Sequence, residues 1–161
     1  MKALILNGSP RRGGGTAAVS RRFAASLQKG LGPSASVEVL DLVDLHIEAC
    51  LGCRLCFDRG EDACPRDDDL AWLSQAILGS DILVLASPVY VDSMSGLMKT
   101  TLDRLAWLCH RPGLGGRLGF VLTTTGSADS GRTRASLVQA LRYWGVRTLG
   151  SHCVLAGARL S

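Results

Sequence analysis

No stretch of this 161-residue chain approaches the roughly 18 apolar residues in a row that a membrane-crossing helix requires. Met1-Lys2 leads straight into a short apolar run, with neither a signal-peptide core nor a cleavage site, so the expected location is cytoplasmic, away from membranes. Aromatic residues are only 5% of the chain, and no basic run is interleaved with stacking rings, which argues against a nucleic-acid partner. Charge is also modest: 18 basic and 14 acidic residues leave a formal net charge of +4, and only Arg11, Arg12, Arg21 and Arg22 are concentrated. Internal repeats, low-complexity tracts and domain linkers are missing, so residues 1–161 are expected to form a single domain. A nucleophile elbow is missing too, and His46, His110 and His152 have no carboxylate or serine at a suggestive spacing. Ser- or Cys-dependent hydrolysis is thereby disfavoured.

The stretch from Leu4 to Thr16 organises the rest. Ala3–Leu6 is apolar, stops at Asn7-Gly8-Ser9-Pro10, and gives way to a helical pattern from about Thr16. Strand, tight loop and helix N-terminus together gather free backbone N–H groups around an anion. Ser9 and Thr16 add hydroxyls, Arg11 and Arg12 add charge, and Gly13, Gly14 and Gly15 let the backbone approach closely. The loop is neither Gly-x-Gly-x-x-Gly nor a Walker loop, which favours a terminal phosphate over a pyrophosphate. Taken alone, it could equally be an ordinary glycine-rich turn.

Downstream, Val19, Phe23 and Leu27 share a helical face that Gly30–Ser34 ends, and Val37–Leu40 reads as a second strand. Asp41–Arg66 is the least regular part. Leu70, Leu73 and Ile77 mark a helix capped by Asp67–Asp69 and ended by Gly79. Ile82–Ala86 reads as a strand buried on both faces and broken by Ser87-Pro88-Val89-Tyr90. Helices over 97–108 and about 132–144 alternate with strands at 118–124 and 149–155. This alternation predicts an α/β fold, a doubly wound five-stranded parallel sheet in the flavodoxin-like order 2-1-3-4-5. Only Ala156–Ser161 follows the fifth strand, too little for the helix that usually closes this fold.

Ligands of such sheets bind beyond the carboxyl ends of the strands. Three loops rich in small and polar residues lie there: Asn7–Thr16, Ser87–Gly96 and Thr123–Ser127. Together they point to a mononucleotide. The first loop would hold the phosphate, Pro88-Val89-Tyr90 offers a rigid wall and a ring for a planar ligand, and Thr123–Ser127 supplies N–H and hydroxyl donors.

Leu4–Thr16, Ser87-Pro88-Val89-Tyr90, Gly96-Leu97-Met98-Lys99, Asp103-Arg104 and Thr124-Thr125-Gly126 resemble the flavin mononucleotide (FMN) loops of the NAD(P)H-dependent FMN reductase family, of flavodoxin-like fold. The resemblance covers nearly the whole chain. It implies FMN contacts at Ser9, Arg11, Gly13, Gly15, Thr16, Pro88, Val89, Tyr90, Thr124, Thr125 and Gly126. Many members have Asn where this chain has Gly15, so one phosphate contact is expected to be missing. Lys99 and Arg104, on a helix with one exposed face, are read as solvated charges as readily as site residues.

Six cysteines in such a chain suggest redox or metal chemistry rather than a disulfide framework. Cys50-x2-Cys53-x2-Cys56-x7-Cys64 has the spacing that wraps a short backbone around an iron–sulfur cubane, similar to ferredoxins; zinc usually takes two separated pairs. The stretch also resembles the cluster motif of iron–sulfur flavoproteins, a branch of the same family in which the last gap is commonly shorter. A loop of reduced thiols beside the flavin is the alternative. Cys109 and Cys153 are expected to be buried small hydrophobes.

The resemblance implies an oxidoreductase with no catalytic side chain. A hydride passes from NAD(P)H, the cosubstrate, through FMN to a small-molecule acceptor: a quinone, flavin, nitro or azo compound, or metal. The alternative is an electron-transfer flavoprotein, possibly with a 4Fe-4S cluster, lacking its own NAD(P)H site. The short tail after the last strand predicts bare apolar sheet surface, on the order of several hundred Å², and hence a homodimer or homotetramer.

Overall fold

Ala3–Leu6 and Ile82–Ala86 are apolar at every position because the strands they form are covered on both sides. The computed structural model describes residues 1–127 and 131–156. Its elements run β1 (Lys2–Asn7), α1 (Gly15–Leu31), β2 (Ser36–Asp41), α2 (Leu55–Asp58), α3 (Leu70–Leu78), β3 (Ile82–Tyr90), β4 (Ser93–Met94), α4 (Gly96–Arg104), β5 (Leu118–Thr125), α5 (Gly131–Tyr143) and β6 (Arg147–Leu155), with short 3-10 turns at Leu42–Asp44, Glu61–Ala63 and Ala106–Cys109. The parallel strands lie in the order β2-β1-β3-β5-β6. Counted over those five strands, this is the flavodoxin-like 2-1-3-4-5 order. Register aligns Leu6 with Leu40 on one side and with Leu85 on the other.

Alternation along the strands splits the apolar residues between two layers. Leu4, Leu6, Leu83, Leu85 and Val121 join Leu73, Ile77, Met98, Leu105, Leu137, Leu141 and Trp144 from the helices of one face. Ala3, Ile5, Ile82, Val84, Ala86 and Leu122 face the other way, against Val19, Phe23, Ala24 and Leu27 of α1. Phe23 stacks on Phe120 with ring centroids 5.4 Å apart, so α1 reaches as far as β5. At the β6 edge no residue of the strand is fully buried, and Leu149 and Leu155 are 60% and 66% exposed. Whether a helix follows β6 lies outside the described residues. Among the described residues, no helix is long and apolar enough to cross a membrane.

Two sequence expectations need correction. Ser87–Tyr90 does not break the third strand. β3 continues to Tyr90 and folds back through Val91 and Asp92, both at positive φ, onto β4. Pro88 lies beyond Ala86, where the pairing of β3 with β1 ends, and the Ser87 hydroxyl ties this strand end to the start of α4, donating to Pro88 O (2.9 Å) and accepting from Ser95 N–H (3.0 Å). The 97–108 helix is two pieces, α4 and the 3-10 turn after it. At the start of α3 the N-cap residue is Asp69, as expected within 67–69, but its carboxylate accepts from His46 N–H at 2.7 Å and not from the helix, while Asp68 Oδ1 accepts from Leu70 N–H at 3.1 Å.

Candidate functional site

The first loop is held from below. Asn7, fully buried at the end of β1, donates to Asp41 Oδ1 (2.7 Å) and accepts from Ser9 N–H (3.2 Å), so its side chain bends the chain out of the sheet. Gly8 rests against α4, where a Cβ would come within 2.9 Å of Met98 Cβ and 3.1 Å of Ser95 Oγ. Ser95 joins the first two loops. Its hydroxyl donates to Gly8 O (2.6 Å) and accepts from Met98 N–H (3.2 Å), capping α4. Asn7 and Ser95 lie within the expected ligand loops Asn7–Thr16 and Ser87–Gly96 but are not among the expected site residues; the Asn-Gly pair and a serine ahead of a helical run are the available signals.

Above this floor lies a cleft at the carboxyl ends of β1, β3 and β5. Ser9, Arg11, Gly15, Thr16, Pro88, Val89, Tyr90, Thr124, Thr125 and Gly126 line it, together with Ala156. Gly13 does not line it. The described residues enclose about 130 Å³ there, less than the roughly 300 Å³ at which ligand pockets begin, and the cleft is open on one side. The first-turn amides of α1 (Gly15, Thr16 and Ala17) precede the first intrahelical bond, Ala18 N–H to Gly14 O at 3.0 Å, and so remain available to an anion. The hydroxyls are already placed: Ser9 Oγ accepts from Arg11 N–H (3.2 Å) and bonds Arg11 O (3.0 Å), and Thr16 Oγ1 meets Thr124 Oγ1 at 2.6 Å. Arg12 is engaged by Asp44 at 2.5 Å. Arg11 makes no ion pair among the described residues, so it is the cation the cleft retains.

The cysteine loop forms a second site. Cys50, Cys53, Cys56 and Cys64 all border one small apolar-walled pocket of about 70 Å³, with Leu51, Phe57, Ala106 and Arg104. Burial, then the neighbouring Cys64 and Cys50, pushes the Cys56 thiol up from its ordinary range. Among the described residues no three His, Cys, Asp or Glu side chains are close enough to hold a metal as they stand. The loop is closed at its base by polar bonds. His46 and Asp69 exchange two, Asp69 N–H to His46 O (3.0 Å) and His46 N–H to Asp69 Oδ2 (2.7 Å). Glu48 N–H meets Asp68 (3.0 Å), and Arg66 reaches Glu48 Oε2 (2.9 Å). Arg111 bonds Cys56 O and pairs with Glu61 at 3.4 Å.

Of the two charges on α4 that the sequence leaves open between solvated and site residues, Arg104 is buried. Its side chain is 2% exposed and pairs at 2.5 Å with Asp68, itself 1% exposed. Burial works to raise the Asp68 carboxyl, but the bonds from Arg104, Glu48 N–H and Leu70 N–H outweigh it and hold the carboxyl below its usual range. Lys99 is the surface charge of the two, paired with Asp103 at 2.5 Å in the open. Cys109 is exposed and Cys153 half-buried, so neither is the small core residue expected.

A doubly wound sheet of flavodoxin-like order, with a polar cleft at its carboxyl edge, defines the class. The chain belongs to the NADPH-dependent FMN reductase family, whose model matches residues 1–159. An iron-sulfur flavoprotein from Archaeoglobus fulgidus is 32% identical over 151 residues, 93% of this chain and 66% of that protein. An NADPH azoreductase from a Bacillus species is 29% identical over 114 residues, 70% of this chain and 55% of its own. The chain spans about half to two thirds of the length of these relatives. Among solved structures, RosB with bound 8-demethyl-8-formylriboflavin-5'-phosphate superposes with a TM-score of 0.79 at 21% identity, covering 98% of this chain and 66% of that one. At this identity the likeness concerns the fold.

Proposed function

We propose that the chain is an FMN-dependent oxidoreductase that accepts electrons from reduced nicotinamide and delivers them to a small acceptor. The observation that carries this reading is the meeting of three separate loops in one cleft at the strand ends, where open α/β sheets take their ligands. The first-turn amides of α1 and Arg11 suit a phosphate dianion. Pro88-Val89-Tyr90 supply a wall for a planar ring, and Thr124, Thr125 and Gly126 supply donors for its polar edge. Bound FMN would supply the hydride and electron chemistry, and the protein would supply position and donors for developing charge. No side chain in the cleft is needed as acid or base. Quinones, flavins, nitro or azo compounds and metal ions are the acceptor classes in view.

The four thiols are the second part of the proposal. Cys50, Cys53, Cys56 and Cys64 are the right donors for a 4Fe-4S cluster, and all four border the same pocket. α4 touches both sites: Ser95 at its cap supports the first loop, and Arg104 at its last turn contacts Cys64. α4 itself is nine residues, about 14 Å, long. This pairing favours a second reading, an electron-transfer flavoprotein that relies on another protein for reduction. The cleft's small enclosed volume and the exposed β6 edge support a homodimer or homotetramer whose partner completes the pocket.

An absorbance spectrum of anaerobically purified protein, followed by steady-state NADPH oxidation with a quinone acceptor, tests both readings. Oxidised-flavin bands with NADPH turnover support the oxidoreductase. Flavin bands without turnover leave the electron carrier. Absence of flavin after incubation with FMN overturns both. Light scattering at low micromolar concentration tests the oligomer, and a stable monomer would refute it.

A further inference from the structure

The cysteine run from Cys50 to Cys56 is local, and adjacent turns of a short loop can gather its three thiols. Cys64 is different. It comes after α2 and the 3-10 turn Glu61–Ala63, so nothing in the local spacing brings it to the other three. Its backbone N–H bonds Glu61 O at 3.1 Å within that turn, and its sulfur is reached by a side chain from another part of the chain. Arg104 Nη2 donates to Cys64 Sγ at 3.6 Å and to Asp68 Oδ1 at 3.2 Å, while Nη1 donates to Glu48 O at 2.8 Å and Asp68 Oδ2 at 2.5 Å. One planar guanidinium therefore grips the chain just before the first cysteine, the last cysteine itself, and the carboxylate beyond it. Only Arg has a rigid fork of donors able to serve three such partners at once.

The depth of this arrangement argues that it is more than a surface contact. A buried ion pair costs desolvation on both sides and is a weak source of stability compared with apolar packing of the same volume. A charge kept at 2% exposure against a thiol needs another explanation, and the thiol supplies one. We propose that Arg104 is the positioning residue of the cysteine site: it closes the loop around the four thiols and gives the Cys64 sulfur a fixed, charged hydrogen-bond donor. The inference rests on the reading of these thiols as iron–sulfur ligands. Hydrogen bonds to ligand sulfurs and nearby positive charge favour the more negative, reduced state of such a centre, and so raise its potential.

Arg104→Lys separates this role from a structural one. Lysine keeps the buried cation facing Asp68, yet its single ammonium cannot span Asp68, Glu48 O and Cys64 together. Arg104→Gln/Asp68→Asn removes both charges at once, so no ion is left buried alone, and it serves where lysine does not fit. Both variants and the wild type are reconstituted anaerobically with iron and sulfide. Iron and sulfide per chain, FMN content and the midpoint potential of the cluster are then measured. The expected result is wild-type FMN content, because Arg104 lies outside the flavin cleft, with a midpoint more negative than wild type in the lysine variant and reduced iron in the double variant. Wild-type iron content at the wild-type midpoint in both variants would overturn the role of Arg104 and leave the cluster intact. A wild-type protein that takes up neither iron nor sulfide would overturn the cluster reading, and this inference with it, before any variant is compared.

Discussion

The two candidate sites sit at opposite ends of α4 and are held by different physics. The strand-end cleft is an outgrowth of the sheet. Its loops leave β1, β3 and β5 where the ladder and two apolar layers have already fixed the backbone, and few side chains are needed to shape it. The cysteine site is not built on strand ends. Its loop departs after β2, contains only short helical turns, and returns at α3; Leu45, Ile47, Cys56 and Phe57 pack it against the core, and the polar contacts of Arg104, Asp68, Glu48, Arg66 and Arg111 tie it down. A loop whose partly buried apolar contacts are joined by a polar lattice with a buried cation is a more fragile foundation than a sheet with two apolar layers. Substitution in the lattice should reach the thiols first and the cleft last.

The largest expected effect is at the centre of that lattice. Arg104→Ala leaves the Asp68 carboxylate buried without its partner, and breaking a buried pair in this way costs about 3–5 kcal/mol. Denaturant unfolding should show that loss, and limited proteolysis should cut first between residues 48 and 68. Equal susceptibility elsewhere in the chain would show that the loop is not the weak unit. Acid gives the same comparison without a substitution. The Asp68 carboxyl lies lower in the folded chain than its ordinary value of about 3.9. Its contribution is thus fully present above that value and is lost as pH falls through the lower folded one. The wild-type unfolding midpoint should drop below about pH 4, and Asp68→Asn, less stable at neutral pH, should show a flatter profile.

The cleft should respond through ligand rather than stability. Replacing Ser9 and Thr16 together by Ala removes the hydroxyls that brace the first loop and meet Thr124. At about 1 kcal/mol or more for each hydrogen bond to a charged group, FMN affinity should fall at least about tenfold. Fluorescence titration with FMN measures this, and unchanged affinity would mean that the phosphate sits elsewhere.

The unequal legibility of the two sites follows from the same difference. Strand order, the two-sided burial of Ile82–Ala86 and the meeting of the three loops could be read from sequence, because apolar periodicity and glycine–polar punctuation are local signals. The extension of β3 through Pro88 could not, since a proline ordinarily marks the end of a ladder and the pairing of this stretch with β5 and β4 is a tertiary effect. The cysteine spacing was visible as a motif. Its support was not: Arg104 follows Cys64 by forty positions, and no periodicity distinguishes a buried arginine from an exposed one on the same amphipathic helix. Asn7 was passed over for a related reason, because a polar residue at a strand end is ordinary until its partner, Asp41, is seen beside it.

The smallest expected effect sharpens that last point within one helix. Lys99–Asp103 and Arg104–Asp68 are both ion pairs at 2.5 Å, and both begin on α4. The first is spaced i to i+4 with side chains 58% and 47% exposed. Water already solvates both charges there, so the pair returns little for fixing two long side chains. Lys99→Ala should therefore cost no more than about 0.5 kcal/mol, with that small difference vanishing in high salt as screening removes the attraction. Paired denaturation curves of Lys99→Ala and Arg104→Ala at low and high ionic strength provide the measurement. A loss at Lys99 comparable to that at Arg104 would show that burial is not what separates the two pairs, and would remove the basis for treating the thiol-facing arginine as exceptional.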